Sequence, residues 1–493
     1  MLLSILAVAL VVLILGRLTE TRENLTNRSV HSTCLQIAQS ISSASGVFFA
    51  GDAEYEEDIE HWATTSIQSS ACSVEPGTAE DVGRILRILG ETRTPFAVKG
   101  GGHATNPGFS SSAGVQIAMS RFSGVVYDAH SQTVQVGAGV LWDDVYSIVE
   151  PLGVNVVGGR QTGVGVAGFG LGGGYSFLTN QYGLSIDNVR EYELVLPNGT
   201  VTNVTAESNP DLSFALRGGY NNFGVVTKFT LQAYPQGQVW GGLVVMSPGT
   251  FDQFNNAILK FIAEVSDPKV GIIATYDSMS GTVLPIALLF YDAPIPPEGI
   301  FDDFLAIPAE EQNVGTRSML SLIQAGGNIT GFRAAFDTVP FVQYTPTILD
   351  ALVNETQFWS ERLIPQSATL ITWAVELFLP GFLSKHPGIE SAYPPSRAQP
   401  LLPLCLSFQW NDSSADNAMR DAIVQSAQHL TAVAVAEGQN ISEAPVYGNY
   451  AINTTPLTRI FGEQMPRLQE IKRQYDPEDV MGLAGGWKIQ ARE

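Results

Sequence analysis

The sequence predicts an α+β protein with two lobes. Its 493 residues and 45% hydrophobic content are enough to bury more than one sizeable core. Short strands and amphipathic helices follow one another from Ser73, and after residues 234–237 the pattern shifts to alternating apolar strands and longer amphipathic helices. The second pattern predicts one antiparallel sheet with helices on a single face.

The charge of the chain excludes one class of partner. Lys and Arg number 26 against 48 Asp and Glu, which gives a formal net charge of −22. Because little basic surface is left to neutralise phosphates, nucleic acid is not expected as a partner. Charged residues make up only 15% of the chain, whereas 48 residues are glycine, and this balance predicts tight turns and backbone held close to another group.

The N-terminus reads as a targeting segment. A run of 15 residues, apolar except for Ser4, is followed by Gly16 and Arg17. This run is shorter than the ~20 residues that span a bilayer, so we expect a signal peptide over residues 1–18, a secreted protein and no stable membrane span. No Lys or Arg precedes the run and no small-x-small cleavage site follows it, so an uncleaved anchor is the alternative.

Two further features fit passage through the secretory pathway. Cys34 and Cys72 are predicted to form a disulfide that ties the N-terminal segment to the body, whereas Cys405, in the apolar run 401–408, is predicted to be a buried free thiol. Nine Asn-x-Ser/Thr sequons predict a glycoprotein. They lie at Asn24, Asn27, Asn198, Asn203, Asn328, Asn354, Asn411, Asn440 and Asn453.

Hydrophobic periodicity predicts the elements in order. After an acidic N-terminal extension over residues 19–64, apolar residues at helical spacing follow Thr78, a candidate helix cap. Helices are expected over 79–91, 141–152, 251–265 and 466–475. Strands are expected over 95–99, 115–119, 124–128, 133–138, 189–196, 225–234, 239–246, 271–276 and 284–291.

Glycine concentrates in two segments, Gly100–Gly102 directly after a predicted strand and residues 158–174. Residues 168–173 match GxGxxG, but Asp187 is closer than the acid about 20 residues on that a dinucleotide-binding Rossmann unit requires. An isolated segment of this kind is most simply a tight turn. Two in one lobe predict a nest of backbone N–H groups that binds a pyrophosphate.

Several chemistries are not expected. The six histidines are scattered without an HExxH motif, so no metal site is predicted. GxSxG and GxxxxGK[ST] are absent, which argues against an α/β-hydrolase and a P-loop enzyme. His103 ends the first glycine run, where it is either a solvated turn residue or a nucleophilic imidazole available for attachment to a cofactor.

Several motifs follow one another in a specific order. They are Lys99-Gly-Gly-Gly-His103, Gly137-Ala-Gly139, 162–175, 182–189, 196–199, 211–219 and 222–226, with Tyr447-Gly-Asn-Tyr450 and 468–477 near the C-terminus. This set resembles the FAD-binding domain and closing segment of the berberine bridge enzyme-like oxidases, which belong to the vanillyl-alcohol oxidase superfamily.

The resemblance implies an FAD-binding domain over 65–238 that is completed by 440–493, with a substrate domain over 239–439. His103 matches the histidine that family members attach to the 8α position of FAD. A second, cysteine-linked bond would fall within 160–162, where there is no cysteine, so one covalent bond is expected. The implied cofactor-binding residues are Lys99, Gly100, Gly101, Gly102, His103, Ala104, Thr162, Gly163, Gly165, Gly168, Gly173, Gly174, Val226, Asn449 and Tyr450.

The resemblance also implies a catalytic role for two tyrosines. Tyr447 matches the active-site tyrosine, and a neighbouring positive charge that lowers its pKa would allow it to take the substrate hydroxyl proton. Tyr175 should lie close to the flavin and shape the pocket. The alternative is that both are core tyrosines with one satisfied hydroxyl. Glu376 is a candidate for the glutamate base that some members use.

The expected function is that of a secreted, monomeric FAD-linked oxidase acting on a small alcohol, carbohydrate or secondary metabolite. The resemblance implies O2 as the electron acceptor and places Val164 at the position where family members leave access for oxygen. The alternatives are a dehydrogenase with an organic acceptor and a flavin-carrying binding protein with little turnover. Trp373, Phe408 and Trp410 would line an open carbohydrate groove or belong to the core.

Overall fold

The computed structural model describes residues 29–491. Its strands are β1 (Gly46–Phe48), β2 (Cys72–Glu75), β3 (Phe96–Lys99), β4 (Val115–Ala118), β5 (Val125–Asp128), β6 (Thr133–Gly137), β7 (Val154–Asn155), β8 (Val189–Val195), β9 (Val201–Val204), β10 (Val225–Gln232), β11 (Tyr234–Pro235), β12 (Val239–Met246), β13 (Val270–Met279), β14 (Thr282–Tyr291), β15 (Ala309–Arg317), β16 (Arg333–Phe341), β17 (Ala368–Glu376) and β18 (Leu402–Trp410).

Helices connect and cover these strands. They are α1 (29–40), α2 (Ala53–Ile59), α3 (Ala79–Thr92), α4 (Trp142–Val149), α5 (Val166–Gly172), α6 (Thr179–Tyr182), α7 (Pro210–Leu216), α8 (Phe251–Glu264), α9 (Asp302–Leu305), α10 (Met319–Ile323), α11 (Pro346–Leu363), α12 (Asp416–Ala436), α13 (Leu457–Phe461) and α14 (Met465–Tyr475). None of the helices within residues 29–491 is long and apolar enough to cross a membrane.

The first lobe contains two main sheets. One has the order β1-β2-β4-β3, in which β4 runs parallel to both β2 and β3. The other is antiparallel with the order β5-β6-β10-β8-β9. The predicted cap of α3 is confirmed, because the Thr78 hydroxyl accepts a hydrogen bond from the backbone N–H of Asp81.

The second lobe is one antiparallel sheet of seven strands, β15-β12-β14-β13-β17-β18-β16. Helices α8, α11 and α12 cover one face, as predicted. Trp373 of β17 packs on that side and donates to the hydroxyl of Ser426 in α12. Phe408 and Trp410 belong to the same buried core, so the groove alternative for these three aromatics is wrong.

The C-terminal segment returns to the first lobe. Ala484 forms a parallel bridge with Phe96, and the backbone N–H of Gly485 donates to the Phe96 carbonyl. Trp487 is buried in the core of this lobe. The α+β architecture with an N-terminal lobe built from both ends of the chain is therefore present.

The predicted Cys34–Cys72 disulfide is confirmed, and it closes a loop with a sequence separation of 38. Cys405 is free but only half-buried, on the face of β18 opposite to the helices. The predicted signal peptide and the sequons at Asn24 and Asn27 lie outside the described residues.

Candidate active site

The two glycine segments predicted from the sequence touch each other. A Cβ atom on Gly101 would lie 2.5 Å from Cα of Gly165, and one on Gly165 would lie 2.4 Å from N of Gly101. Because both obstacles are backbone atoms, neither side can move away and both positions require glycine. Gly102 and Gly163, beside this contact, have φ values of +67° and +82°, which glycine adopts at little cost.

Helix α5 continues from this contact and leaves open space above part of its backbone. Gly168 is exposed, and a Cβ atom there would meet no atom within 4 Å. A Cβ on Gly100, by contrast, would lie 3.0 Å from the Ala138 carbonyl oxygen. At the end of α5, Gly173 and Gly174 have φ values of +135° and +82°. Such side-chain-free backbone suits a bound pyrophosphate and a flat ring system.

Asp143 of α4 holds the second glycine segment in place. Its carboxylate accepts the Thr162 hydroxyl at 2.5 Å and the backbone N–H of Gly163 at 2.8 Å. Two bonds from one carboxylate fix the turn that leads into α5. The predicted cofactor residues Thr162 and Gly163 therefore have their orientation set by a residue that the sequence pattern did not identify.

His103 follows the first glycine segment and has an unusual environment. Its Nε2 atom is buried and has no hydrogen-bond partner among the described residues. Burial lowers the pKa of His103 to about 4, so its imidazole is neutral at physiological pH. The two glycine segments, Gly100–Gly102 and 163–174, are here called the glycine cradle. An unpartnered, neutral imidazole nitrogen beside this cradle fits attachment to a flavin. The backbone N–H groups of the cradle and this nitrogen together fit FAD.

Three predicted cofactor residues have other contacts. The amino group of Lys99 donates to the carbonyls of Glu57 and Asp58, at 2.8 and 3.0 Å. Val226 is buried in the core of the first lobe, so its side chain faces away from solvent. The Ala104 carbonyl accepts the hydroxyl of Ser66.

A cluster of tyrosines lies at the far end of α5. The Tyr447 hydroxyl oxygen accepts hydrogen bonds from the backbone N–H of Gly174 at 3.1 Å and from Nδ2 of Asn449 at 2.8 Å. The Tyr175 ring meets Tyr447 edge-on, with 4.8 Å between centroids, and its hydroxyl lies 3.0 Å from that of Tyr393. The two predicted catalytic tyrosines are therefore neighbours.

The expected lowering of the Tyr447 pKa is not found. Burial raises the pKa of Tyr447 to about 12, although the two N–H donors and the nearby Arg160 guanidinium oppose that rise. Burial also raises the pKa of Tyr175. The predicted positive charge is present, but the carboxylate of its partner Glu376 acts in the opposite direction, and burial disfavours the phenolate more strongly than either charge.

Arg160 pairs with a second buried group. One of its terminal nitrogens lies 2.8 Å from both oxygens of Glu376, at the end of β17, and 3.1 Å from the Tyr450 hydroxyl. Tyr450 in turn donates to Glu376 at 2.7 Å. The Glu376 oxygens are thus occupied by donors, which makes this residue an anchor for Arg160 rather than a free base. Tyr450, predicted to bind the cofactor, belongs to this network.

A cavity of about 330 Å³ borders the tyrosine cluster. Tyr175, Tyr393 and Tyr447 form one wall, and Pro340 and Pro403 at the ends of β16 and β18 form another. Its walls combine apolar rings with three phenol groups, which suits a small organic molecule.

Comparison with known proteins agrees with this geometry. Residues 70–205 match the family described as FAD binding domain, and residues 446–484 match the family described as berberine and berberine like. An FAD-dependent monooxygenase of Cochliobolus heterostrophus is 30% identical over 94% of both chains. The chain belongs to the berberine bridge enzyme-like family of FAD-linked oxidoreductases. Its cofactor is FAD.

Other members of this family and of its fold are also similar. An uncharacterized FAD-linked oxidoreductase of Arthroderma benhamiae is 33% identical over 75% of this chain and 76% of its own. Among solved structures, 6-hydroxy-D-nicotine oxidase from Arthrobacter nicotinovorans has a TM-score of 0.76 at 19% identity and covers 92% of this chain and 99% of its own. Carbohydrate oxidase from Microdochium nivale has a TM-score of 0.76 at 17% identity, covering 94% and 100%. These two show the shared fold.

Sequence reasoning missed three residues of this family member's site. The Tyr393 ring packs against Tyr447 and the Trp62 ring stacks on His103, yet neither residue stands in a motif. Arg160 stands at a position where the resemblance only leads one to look for a cysteine. Only the fold brings these positions beside Tyr447 and His103.

Proposed function

We propose that this FAD-linked oxidoreductase is a secreted oxidase that carries its flavin on His103 through one covalent bond. It removes a hydride equivalent from a polar small molecule, and O2 accepts the electrons. The single observation that carries the covalent bond is the buried, unpartnered Nε2 atom of His103 directly after the glycine cradle.

Tyr447 is the residue that would handle the substrate proton. When bound, FAD supplies the acceptor for the hydride. The Tyr447 oxygen accepts two N–H groups, from Gly174 and Asn449, so a phenolate formed there is stabilised by both. This arrangement supports transfer of a substrate hydroxyl proton to the Tyr447 oxygen. The charge of Arg160 is balanced by its partner Glu376, so the two N–H groups are the main stabilisation of the phenolate.

The face of the seven-stranded sheet that α8, α11 and α12 leave uncovered carries polar side chains. Thr372 and Thr275 lie on this face, half-buried, and their hydroxyls donate to the buried carboxylate of Asp277. Ser407 lies opposite Thr372 in the next strand. A row of hydroxyl groups favours a substrate with several polar groups, such as a hydroxylated secondary metabolite or a carbohydrate.

Secretion is supported by two observations. The Cys34–Cys72 disulfide persists in oxidising compartments, and the seven sequons within the described residues all have an exposed asparagine. These are Asn198, Asn203, Asn328, Asn354, Asn411, Asn440 and Asn453.

Acid precipitation of the purified protein tests the covalent bond. We expect the yellow flavin to stay with the pellet, and we expect it to move to the supernatant in His103→Ala. Flavin in the wild-type supernatant would refute the bond. A screen of alcohols, sugars and phenolic metabolites by anaerobic bleaching of the flavin then identifies the substrate. The reduced protein is next mixed with air; flavin reoxidation by O2 that is slower than turnover with an organic electron acceptor would favour a dehydrogenase.

A further inference from the structure

We propose that Trp62 is a positioning residue for the attachment of flavin to His103. This inference rests on the covalent bond proposed above. Trp62 belongs to residues 62–66, here called the clasp. The clasp contacts the loop of residues 102–105 around His103, here called the attachment loop. It also contacts β16, the edge strand of the seven-stranded sheet, here called the substrate sheet.

The clasp is bound to the attachment loop at three carbonyls. The backbone N–H of Trp62 donates to the Gly102 carbonyl at 3.0 Å. The hydroxyl of Ser66 donates to the Ala104 carbonyl, and that of Thr65 contacts the Thr105 carbonyl at 3.3 Å. The residues on either side of His103 are therefore held by one short segment.

The Trp62 side chain packs directly on the imidazole of His103. The two rings stack with 4.3 Å between centroids and an interplanar angle of 16°. Trp62 is only 8% exposed, so this stack covers one face of the His103 ring and excludes water from it. Hydrogen bonds fix the backbone on both sides of His103, so the orientation of the imidazole plane is the main freedom that remains. The stack on Trp62 determines this orientation.

The other side of the clasp is bound to β16. The Thr64 backbone N–H donates to the Phe332 carbonyl at 2.8 Å, and the Thr65 hydroxyl donates to the Ala334 carbonyl at 2.9 Å. The Phe332 ring packs edge-on against Trp62 at 4.8 Å. Trp62 is thus supported from behind by the substrate sheet and cannot turn away from His103 without breaking these contacts.

Orientation matters because of the bond that must form. The imidazole N–H and one C–H of the 8α methyl group are replaced by an N–C bond, and the two hydrogens, as two protons and two electrons, pass to O2 to give H2O2. A fixed ring would hold the imidazole nitrogen in one orientation when FAD binds, and such preorganisation commonly accounts for large rate factors. A neutral imidazole, which the buried site favours, is the nucleophilic form.

The experiment compares Trp62→Phe with Trp62→Leu. Both keep apolar bulk, but only phenylalanine can stack. Each protein is produced without flavin, mixed with FAD in air, and sampled over time for acid-stable flavin; total bound FAD is measured before precipitation. We expect attachment in Trp62→Leu to be at least tenfold slower than in wild type with FAD still bound, and attachment in Trp62→Phe to stay within threefold. Trp240→Leu, which removes a stack on Phe301 elsewhere, is the control.

The outcomes separate the two proposals. Wild-type protein without acid-stable flavin refutes the covalent bond and with it the role of Trp62. Wild-type protein with acid-stable flavin, together with equal attachment rates in the leucine and phenylalanine variants, overturns the role of Trp62 alone. The same holds if Trp240→Leu slows attachment as much as Trp62→Leu.

Discussion

Tyr447 illustrates what a motif shows about a residue and what it leaves out. The Tyr447-Gly-Asn-Tyr450 motif predicts an active-site role for Tyr447, and the structure places its hydroxyl beside Asn449 and Gly174, at the end of α5. It does not predict the direction of the pKa shift. That shift depends on burial by Tyr175 and Tyr393, which are far away in the sequence, and burial outweighs the charge of Arg160.

Replacement of Tyr447 by phenylalanine tests its role as the base. General bases commonly contribute about 10²–10⁴-fold, so we expect anaerobic flavin reduction by substrate to slow at least 100-fold in Tyr447→Phe. A pKa near 12 means that the phenolate fraction grows with pH, so the wild-type rate should rise between about pH 6 and 10 by up to tenfold per pH unit, whereas the variant rate should not.

Tyr393→Phe is the matched control for this experiment. It removes the contact with the Tyr175 hydroxyl but leaves both N–H donors to Tyr447 in place. We expect a much smaller effect and an unchanged pH profile. A Tyr447→Phe rate equal to that of wild type would exclude Tyr447 as the base.

At the scale of elements, α5 is a helix that periodicity did not predict. Its seven residues include Gly168, Gly170 and Gly172, and each glycine in a helix interior costs about 0.5–1 kcal/mol relative to alanine. Distant contacts stabilise the helix instead. Asn449 donates to the Gly168 carbonyl, and its side chain would clash with a Cβ on Gly172. By contrast, α3 and β12 follow their local patterns, and their predicted ranges agree with the structure to within a residue.

Two alanine substitutions separate packing from cofactor binding. In Gly165→Ala the new Cβ meets backbone of Gly101, so we expect a loss of about 1–3 kcal/mol in unfolding free energy even without FAD. In Gly168→Ala the Cβ meets nothing, and we expect stability without FAD to be unchanged or higher. Thermal denaturation of both flavin-free variants measures this.

FAD affinity completes that comparison. If the open space above Gly168 belongs to the cofactor, Gly168→Ala should bind FAD at least tenfold more weakly despite its intact fold. Affinity equal to that of wild type would remove Gly168 from the cofactor site.

At the scale of the whole molecule, the sequence predicts the two lobes, the helix-covered sheet and the disulfide. It does not predict how the lobes meet. The Arg160–Glu376 pair and the contacts of the clasp with β16 join positions 216 and about 270 residues apart, and such pairings carry no local signal. The active site lies where these contacts form.

The disulfide should stabilise this arrangement measurably. Closing a loop of this length is worth about 3–4 kcal/mol, so we expect the double variant Cys34→Ser/Cys72→Ser to unfold at a lower temperature than wild type. Because the clasp lies within the loop, acid-stable flavin should decrease as well. Cys405→Ser, which removes the free thiol, is the control and should change neither; an unaltered melting temperature in the double variant would contradict the prediction.

The pairing of Phe96 with Ala484 also has a consequence for biosynthesis. About 390 residues separate the two, so at roughly 5–20 residues per second a ribosome needs about 20–80 s to reach the second after making the first. The glycine cradle emerges early, yet Tyr447, Asn449 and the segment that closes the core arrive last. The complete pocket therefore exists only in the finished chain, and a ribosome that stalls late leaves a nascent protein without a complete flavin pocket.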